Sequence, residues 1–87
     1  MLVSLFEYGG RRENAIGVNI NGLRLYFSYN TVIAFQDSDT PLTVLVNCWS
    51  NTTGKHLNKL QPDKSKRLNK TEFEQKLNQI LQKHNLN

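Results

Sequence analysis

The sequence predicts an α+β domain in which an antiparallel sheet of about five strands packs against one C-terminal helix. Two hairpin signals and one capped amphipathic stretch at the C-terminal end carry this prediction. With 87 residues the chain forms a single domain, too short for a doubly wound dinucleotide fold or an eightfold βα barrel.

The first hairpin is the clearest local signal in the chain. Apolar residues alternate on both sides of the pair Asn21-Gly22: Ile16, Val18, Ile20, Leu23, Leu25 and Phe27. Asn and Gly tolerate the positive φ angles of a type I′ turn, and a two-residue loop here pairs Ile20 with Leu23. This register places all six apolar residues on one face, and it leaves Arg24 and Tyr26 on the other, mostly polar face.

The remaining strands are predicted at residues 2–8, 31–36 and 42–49. The last two flank a five-residue loop ending in Pro41, and both are apolar on both faces. One helix covers only one face of a sheet. We therefore expect the other face to be closed either by a curled sheet with residues 2–8 over it, or by a second subunit in a homodimer.

The C-terminal segment predicts a helix over residues 71–86. Thr71 and Glu74 fit a capping box, with Thr71 at the N-cap. An apolar stripe follows at helical spacing: Phe73, Leu77, Ile80, Leu81 and His84. The single domain then divides into a mainly β part (1–49), a basic loop region (50–70) and this helix.

The positive charge is concentrated in one segment. The net charge is +4, but residues 50–70 alone hold six basic side chains against Asp63, a net charge of +5. Such a cluster is typical of a surface that binds phosphates or an acidic protein, although a solvated loop in a lysine-rich chain is the alternative. The candidate binding residues are Lys55, His56, Lys59, Lys64, Lys66, Arg67 and Lys70, together with Arg24 and Tyr26, on whose ring a base could stack.

Residues 47–58 are rich in hydrogen-bonding side chains and directly follow an apolar strand. Thr52, Thr53 and Gly54, followed by Lys55, suggest a loop that holds an anion. It is not a nucleotide-binding P-loop, because Trp49 occupies the position of the first glycine. The alternative is a structural loop whose polar side chains satisfy its own backbone.

The chain offers little catalytic chemistry, and we predict a protein that is not an enzyme. Cys48, His56 and His84 are too few and too widely spaced for a metal site, and no cofactor is expected. The alternative is a small metal-independent nuclease with His56, His84 and Lys55, or a module that binds a phosphate ligand, in either case using the loop Thr52-Thr53-Gly54-Lys55-His56. The single cysteine and the short apolar N-terminal run predict a cytoplasmic protein without a membrane partner.

Two stretches of the chain form a distinctive pair of motifs. They are Ser28-Tyr29-Asn30-Thr31-Val32-Ile33-Ala34-Phe35 and, after a gap, the run from Asn47-Cys48-Trp49-Ser50 to Thr53-Gly54-Lys55-His56-Leu57-Asn58. Together they resemble a group of short uncharacterised proteins of bacteriophages and other mobile elements. The shared pattern is S-Y-x-T-x-[VI]-A-F followed by N-x-W-S-x-T-T-G-K-H-L-N. The resemblance implies a phage-borne protein acting in a bacterial cytoplasm. By analogy with other small phage proteins, it binds nucleic acid or blocks a host defence nucleoprotein, as anti-CRISPR proteins do.

Overall fold

Five strands, joined in chain order, form one antiparallel sheet: β1 (Val3–Glu7), β2 (Ala15–Ile20), β3 (Leu23–Ser28), β4 (Thr31–Asp37) and β5 (Thr40–Val44). Helix α1 (Asn51–Leu60), a 3-10 turn (Lys64–Lys66) and helix α2 (Lys70–Lys83) follow. A computed structural model describes residues 3–9, 14–46 and 51–86, with the backbone alone for residues 51–54. The predicted α+β class and the five-stranded sheet are confirmed.

The β2–β3 hairpin has the register that the sequence predicts. Ile20 pairs with Leu23, and Gly17 pairs with Tyr26. Asn21 and Gly22 have φ angles of 51° and 87°, as a type I′ turn requires. Local turn chemistry and the apolar alternation agree at this hairpin, so sequence alone is enough to determine it.

A ring stacked on a glycine joins β1 to the sheet. Phe6 pairs with Gly17, and a Cβ atom on Gly17 would lie 2.0 Å from Phe6 Cζ. The Phe6 ring also meets Tyr26 edge-on at a centroid distance of 5.6 Å. The absence of a side chain on Gly17 therefore lets the aromatic side chains of β1 and β3 pack together across β2.

A bulge in β4 explains its unbroken apolar run. Tyr26 pairs with Ala34 but Phe27 pairs with Val32, so Ile33 is an extra residue in β4. Because of this insertion, Ile33 and Ala34 both pack in the cluster on the side of α1, whereas Val32 packs on the side of α2.

Helix α1 replaces much of the loop that the sequence predicts over residues 50–70, so that prediction is wrong. The N-terminal half of α1 contains Thr52, Thr53 and Gly54, which are poor helix formers, and an isolated helix of 10 residues is marginal in water. Tertiary packing supplies the missing stability, because Leu57 is fully buried in the core.

The two helices cover opposite faces of the sheet. On one face Phe73 and Ile80 of α2 pack against a cluster from the sheet: Leu23, Leu25, Phe35 and Leu45. On the other face Leu57 of α1 packs against Tyr26, Ile33, Ala34 and Val44. Helix α1 thus covers the face for which we expected a second subunit. That argument for a homodimer no longer applies, and the homodimer stays a prediction that sedimentation would test.

Helix α2 begins earlier than predicted. Its N-cap is Asn69, not Thr71, and Asn69 Oδ1 accepts from the backbone N–H of Glu72 at 2.9 Å. The Asn69 Nδ2 group donates to Glu72 Oε1 at 3.0 Å. The first bond is that of an N-cap, with asparagine in the place of the hydroxyl residue that we assumed; in the second, Glu72 accepts from the side chain of Asn69 and not from its backbone N–H, as it would in a capping box.

The segment between the helices, residues 61–69, runs along the outer edge of β5, and we call it the crossing segment. Leu68 forms an isolated parallel bridge with Leu45. Its N–H donates to the carbonyl of Val44 at 2.8 Å, and its carbonyl accepts from Val46 N–H at 2.7 Å. The strand predicted over residues 42–49 is observed as β5 at Thr40–Val44, and residues 47–49 of that prediction lie outside the described residues.

Candidate nucleic-acid interface

One end of the sheet brings together elements from both helices. We call it the Tyr29 end, defined by the two-residue turn Tyr29-Asn30 between β3 and β4. On one side of this turn, the ring of Tyr29 lies 6.2 Å from the ring of His56 in α1. On the other side, Asn30 shares a surface groove with Lys70 at the start of α2.

Besides Lys59, four lysines of the basic segment are exposed: Lys55, Lys64, Lys66 and Lys70. Within the described part of the chain, none of the four has an acidic group within ion-pair distance. Lys59 is also exposed, and its Nζ donates to the carbonyl of Gly9, beside the Tyr29 end. These amines come from α1, the 3-10 turn and α2, so the folded chain spreads the positive charge over three elements.

The acidic residue of the basic segment is used locally. Asp63 caps the 3-10 turn, and its carboxylate accepts from the Ser65 N–H at 3.0 Å and the Ser65 hydroxyl at 2.6 Å. These hydrogen bonds hold the pKa of Asp63 below its usual value. Another acid, Glu74, lines the groove that contains Lys70.

Arg67 is a structural residue, which corrects its prediction as a binding residue. Its side chain is almost buried, Nε donates to the carbonyl of Gln61 at 2.9 Å, and Nη2 donates to Asn58 Oδ1 at 2.7 Å. The guanidinium therefore ties the C-terminal end of α1 to the crossing segment. It is not available to grip a phosphate.

His56 is also misassigned by the sequence, since its side chain is 0% exposed. Its Nδ1 is hydrogen-bonded to Ser28 Oγ at 2.7 Å. The ring of Tyr8 meets it edge-on at 6.1 Å. The imidazole is a polar part of the core beneath the Tyr29 end, where a ligand in solvent cannot reach it.

The polar sheet face does not offer the aromatic group that we predicted. Tyr26 is 7% exposed, and its hydroxyl donates to Gln36 Oε1 at 2.7 Å. It is buried because α1 covers this face. Arg24 is exposed, but it lies toward the far end of β3 from Tyr29, with its guanidinium 5.8 Å from the centre of the Phe6 ring.

Tyr29 is the exposed aromatic residue that sequence reasoning missed. It is 53% exposed, and it has a φ angle of 56°. Its N–H donates to the carbonyl of Asn14 at 2.7 Å. The signal was present in the tetrapeptide Ser28-Tyr29-Asn30-Thr31 between two apolar strands, where only two residues remain for the turn.

The loop predicted over residues 47–58 is helical from Asn51 onward. Thr52, Thr53 and Gly54 belong to the first turn of α1, and their side chains lie outside the described residues, as do residues 47–50. The prediction that these three residues hold an anion remains a prediction.

The opposite end of the sheet holds a compact ion network. Asp37 accepts from Lys83 Nζ at 2.8 Å and from His84 Nε2 at 2.9 Å, and Lys83 also reaches Asp39 at 3.2 Å. The hydrogen bond from Lys83 and, to a smaller extent, the hydrogen bond from His84 hold the pKa of Asp37 well below its usual range. His84 caps the C-terminal end of α2, on the opposite face of the sheet from α1 and His56, so the two imidazoles do not form one site.

This network predicts a specific acid sensitivity. Because the folded state lowers the pKa of Asp37, the resulting stability is present above the ordinary value of 3.8 and is lost as the pH falls below it. We expect Asp37→Asn to flatten the fall in thermal midpoint between about pH 5 and pH 2. Glu74→Gln, an exposed carboxylate of α2 outside the network, should keep the wild-type slope. Equal slopes for Asp37→Asn and wild type would contradict the assignment.

Two further site types receive no support from the part of the chain that is described. No three His, Cys, Asp or Glu side chains gather there as metal ligands would. No helix there has the length and apolar character to span a membrane.

A family model matches residues 3–75, which include the sheet, α1 and the first turns of α2. The chain belongs to DUF8033, a family of unknown function. No curated protein and no solved structure matches it. The Tyr29 end and the exposed lysines Lys55, Lys64, Lys66 and Lys70 lie within the part of the chain that the family model matches.

Proposed function

We propose that this DUF8033 protein binds nucleic acid through the exposed lysines of its basic segment, one of which, Lys70, lines the groove at the Tyr29 end. The observation that supports this most directly is the number of exposed amines in the basic segment that form no ion pair. Lys55, Lys64, Lys66 and Lys70 are exposed with no acidic group at ion-pair distance in the described residues, whereas Asp37 and Asp39 are paired with Lys83. Exposed amines of this kind attract a polyanion and release its counterions.

The chemistry of the cluster favours phosphate contacts over base readout. Arg67, whose guanidinium could grip a guanine edge, is held by Gln61 and Asn58. The exposed groups are lysine ammonium ions, which act as point charges toward backbone phosphates. We therefore expect binding with little sequence preference and a strong dependence on salt.

The resemblance to phage and mobile-element proteins suggests the biological setting of this binding. In that setting the protein acts in a bacterial cytoplasm on a nucleoprotein complex of the host. An inhibitor that binds the guide or target strand of a CRISPR effector is one instance, since the backbone phosphates of these strands attract amines. A pull-down from bacterial cells, with and without nuclease treatment, would identify the complex and show whether nucleic acid bridges it.

Charge reversal tests the interface directly. We expect the triple variant Lys64→Glu, Lys66→Glu, Lys70→Glu to lose at least about a hundredfold in affinity for nucleic acid at about 50 mM salt, because it removes three phosphate contacts and adds repulsion. Fluorescence anisotropy at several salt concentrations measures both the affinity and the salt slope, which should fall by about two to three.

A matched pair of single variants separates position from net charge. Lys66→Glu and Lys76→Glu change the net charge equally, but Lys76 lies on α2 in a pocket with Thr40 and Lys83, near the ion network. Lys66→Glu should weaken binding several-fold more than Lys76→Glu. Absence of wild-type binding at about 50 mM salt would rule out the nucleic-acid proposal and leave an acidic protein as the partner.

The metal-independent nuclease has weaker support. Its two imidazoles are separated by the sheet, and His56 is buried. Cleavage of labelled RNA by the purified protein in the presence of a chelator, lost in Lys55→Ala, would favour the nuclease over a non-enzymatic binding protein.

A further inference from the structure

Tyr29 has a backbone conformation that its side chain does not favour. Three non-glycine residues in the described ranges have positive φ: Asn21 (51°), Tyr29 (56°) and Asn85 (57°). Asparagine tolerates this left-handed region because its short side chain can bond locally, whereas a bulky residue there is an outlier. On grounds of stability alone, asparagine or glycine would be the better residue at position 29.

Burial does not account for the tyrosine. About half of Tyr29 is exposed, with a relative exposure of 53%, and its ring meets His56 in a tilted contact at 6.2 Å and 45°. Backbone strain that packing does not offset is found mostly at functional positions. The ring is therefore better explained by something that it contacts from solvent.

The surroundings of the ring indicate what that contact is. His56 lies beneath the ring, and the next residue toward the start of α1 is the exposed Lys55. On the other side of the turn, Asn30 and Thr31 share their groove with Lys70. Exposed lysines of two different helices thus adjoin the neighbours of Tyr29: Lys55 precedes His56 in α1, and Lys70 shares the groove of Asn30.

We propose that Tyr29 is a base-stacking residue and that the ligand of this interface is single-stranded nucleic acid. An unpaired base stacks on the ring of Tyr29, and the flanking phosphates meet Lys55 and Lys70. This inference rests on the proposed function, which it narrows from nucleic acid in general to single strands. The reason is that a base within a duplex has both faces covered, so that only an unpaired base offers a face to tyrosine.

The test compares a fluorescein-labelled oligothymidylate of about 12 nucleotides with a duplex of the same length. We expect wild type to prefer the single strand. Tyr29→Ala should weaken single-strand binding about tenfold, leave duplex binding within twofold, and keep the salt slope, because stacking releases no counterions. Tyr29→Phe keeps the ring and should bind as wild type does. Lys66→Glu should behave in the opposite way: it should weaken the binding of both the single strand and the duplex and lower the salt slope.

A second variant controls for folding. Tyr29→Asn suits the positive φ, so its thermal midpoint should equal or exceed that of wild type, while its single-strand affinity should fall as in Tyr29→Ala.

Equal wild-type affinity for both ligands, or Tyr29→Ala binding as wild type, would overturn the stacking role and leave the lysine interface intact. A lower midpoint in both variants would assign the ring to packing on His56 and would also overturn it. Failure of wild type to bind either ligand would instead remove the proposed function itself.

Discussion

Replacing His56 by alanine should lower the free energy of unfolding by about 3 kcal/mol. The imidazole is fully buried, so its removal leaves a cavity between α1 and the sheet, and the 2.7 Å hydrogen bond to Ser28 Oγ is lost. For a domain of this size, such a loss corresponds to a fall of about 15 °C in the thermal midpoint. Urea denaturation followed by circular dichroism would measure it.

The adjacent residue provides the control for this prediction. Lys55→Ala changes an exposed side chain of the same helix turn and should cost less than about 0.5 kcal/mol. His56→Asn places an amide near Ser28 and should recover part of the loss. If His56→Ala instead kept its stability and lost nucleic-acid binding, the imidazole would have to be accessible to ligand, and its assignment to the core would be wrong.

Arg67→Ala should have the second largest effect, a loss of about 2 kcal/mol in the free energy of unfolding. The change removes the two hydrogen bonds to Gln61 and Asn58 that hold the end of α1 to the crossing segment. Arg67→Lys keeps the charge but should recover little, because one ammonium group does not reproduce a fork whose Nε and Nη2 reach two separate acceptors. Differential scanning calorimetry would rank the two variants.

Lys66→Ala is the matched control, since Lys66 precedes Arg67 and is exposed. It should leave stability within about 0.5 kcal/mol of wild type and weaken nucleic-acid binding. Arg67→Ala should lower stability but, at temperatures where it is folded, bind nucleic acid as wild type does. The same pattern for both variants would place Arg67 at the interface after all.

The sheet could be predicted from local sequence wherever two independent signals agree. At the first hairpin, the Asn21-Gly22 turn and the apolar alternation require the same register, and a shift of one residue would expose the whole apolar set. The helix α2 was predicted from its stripe, including Phe73 and Ile80, although its start was placed two residues late. The concentration of basic residues in one segment is likewise a property of the sequence.

The roles of individual residues in the basic segment were decided only by the tertiary structure. Helix α1 has weak local propensity and forms because Leu57 finds a place in the core, so no local pattern predicted it. Once α1 covers its face of the sheet, Tyr26 and His56 become buried while Tyr29 remains exposed at the turn. These assignments depend on which groups lose contact with water, and that depends on contacts between residues far apart in the chain. Charge and aromatic character can be read from the sequence, but their availability to a ligand follows from the packing of α1 on the sheet.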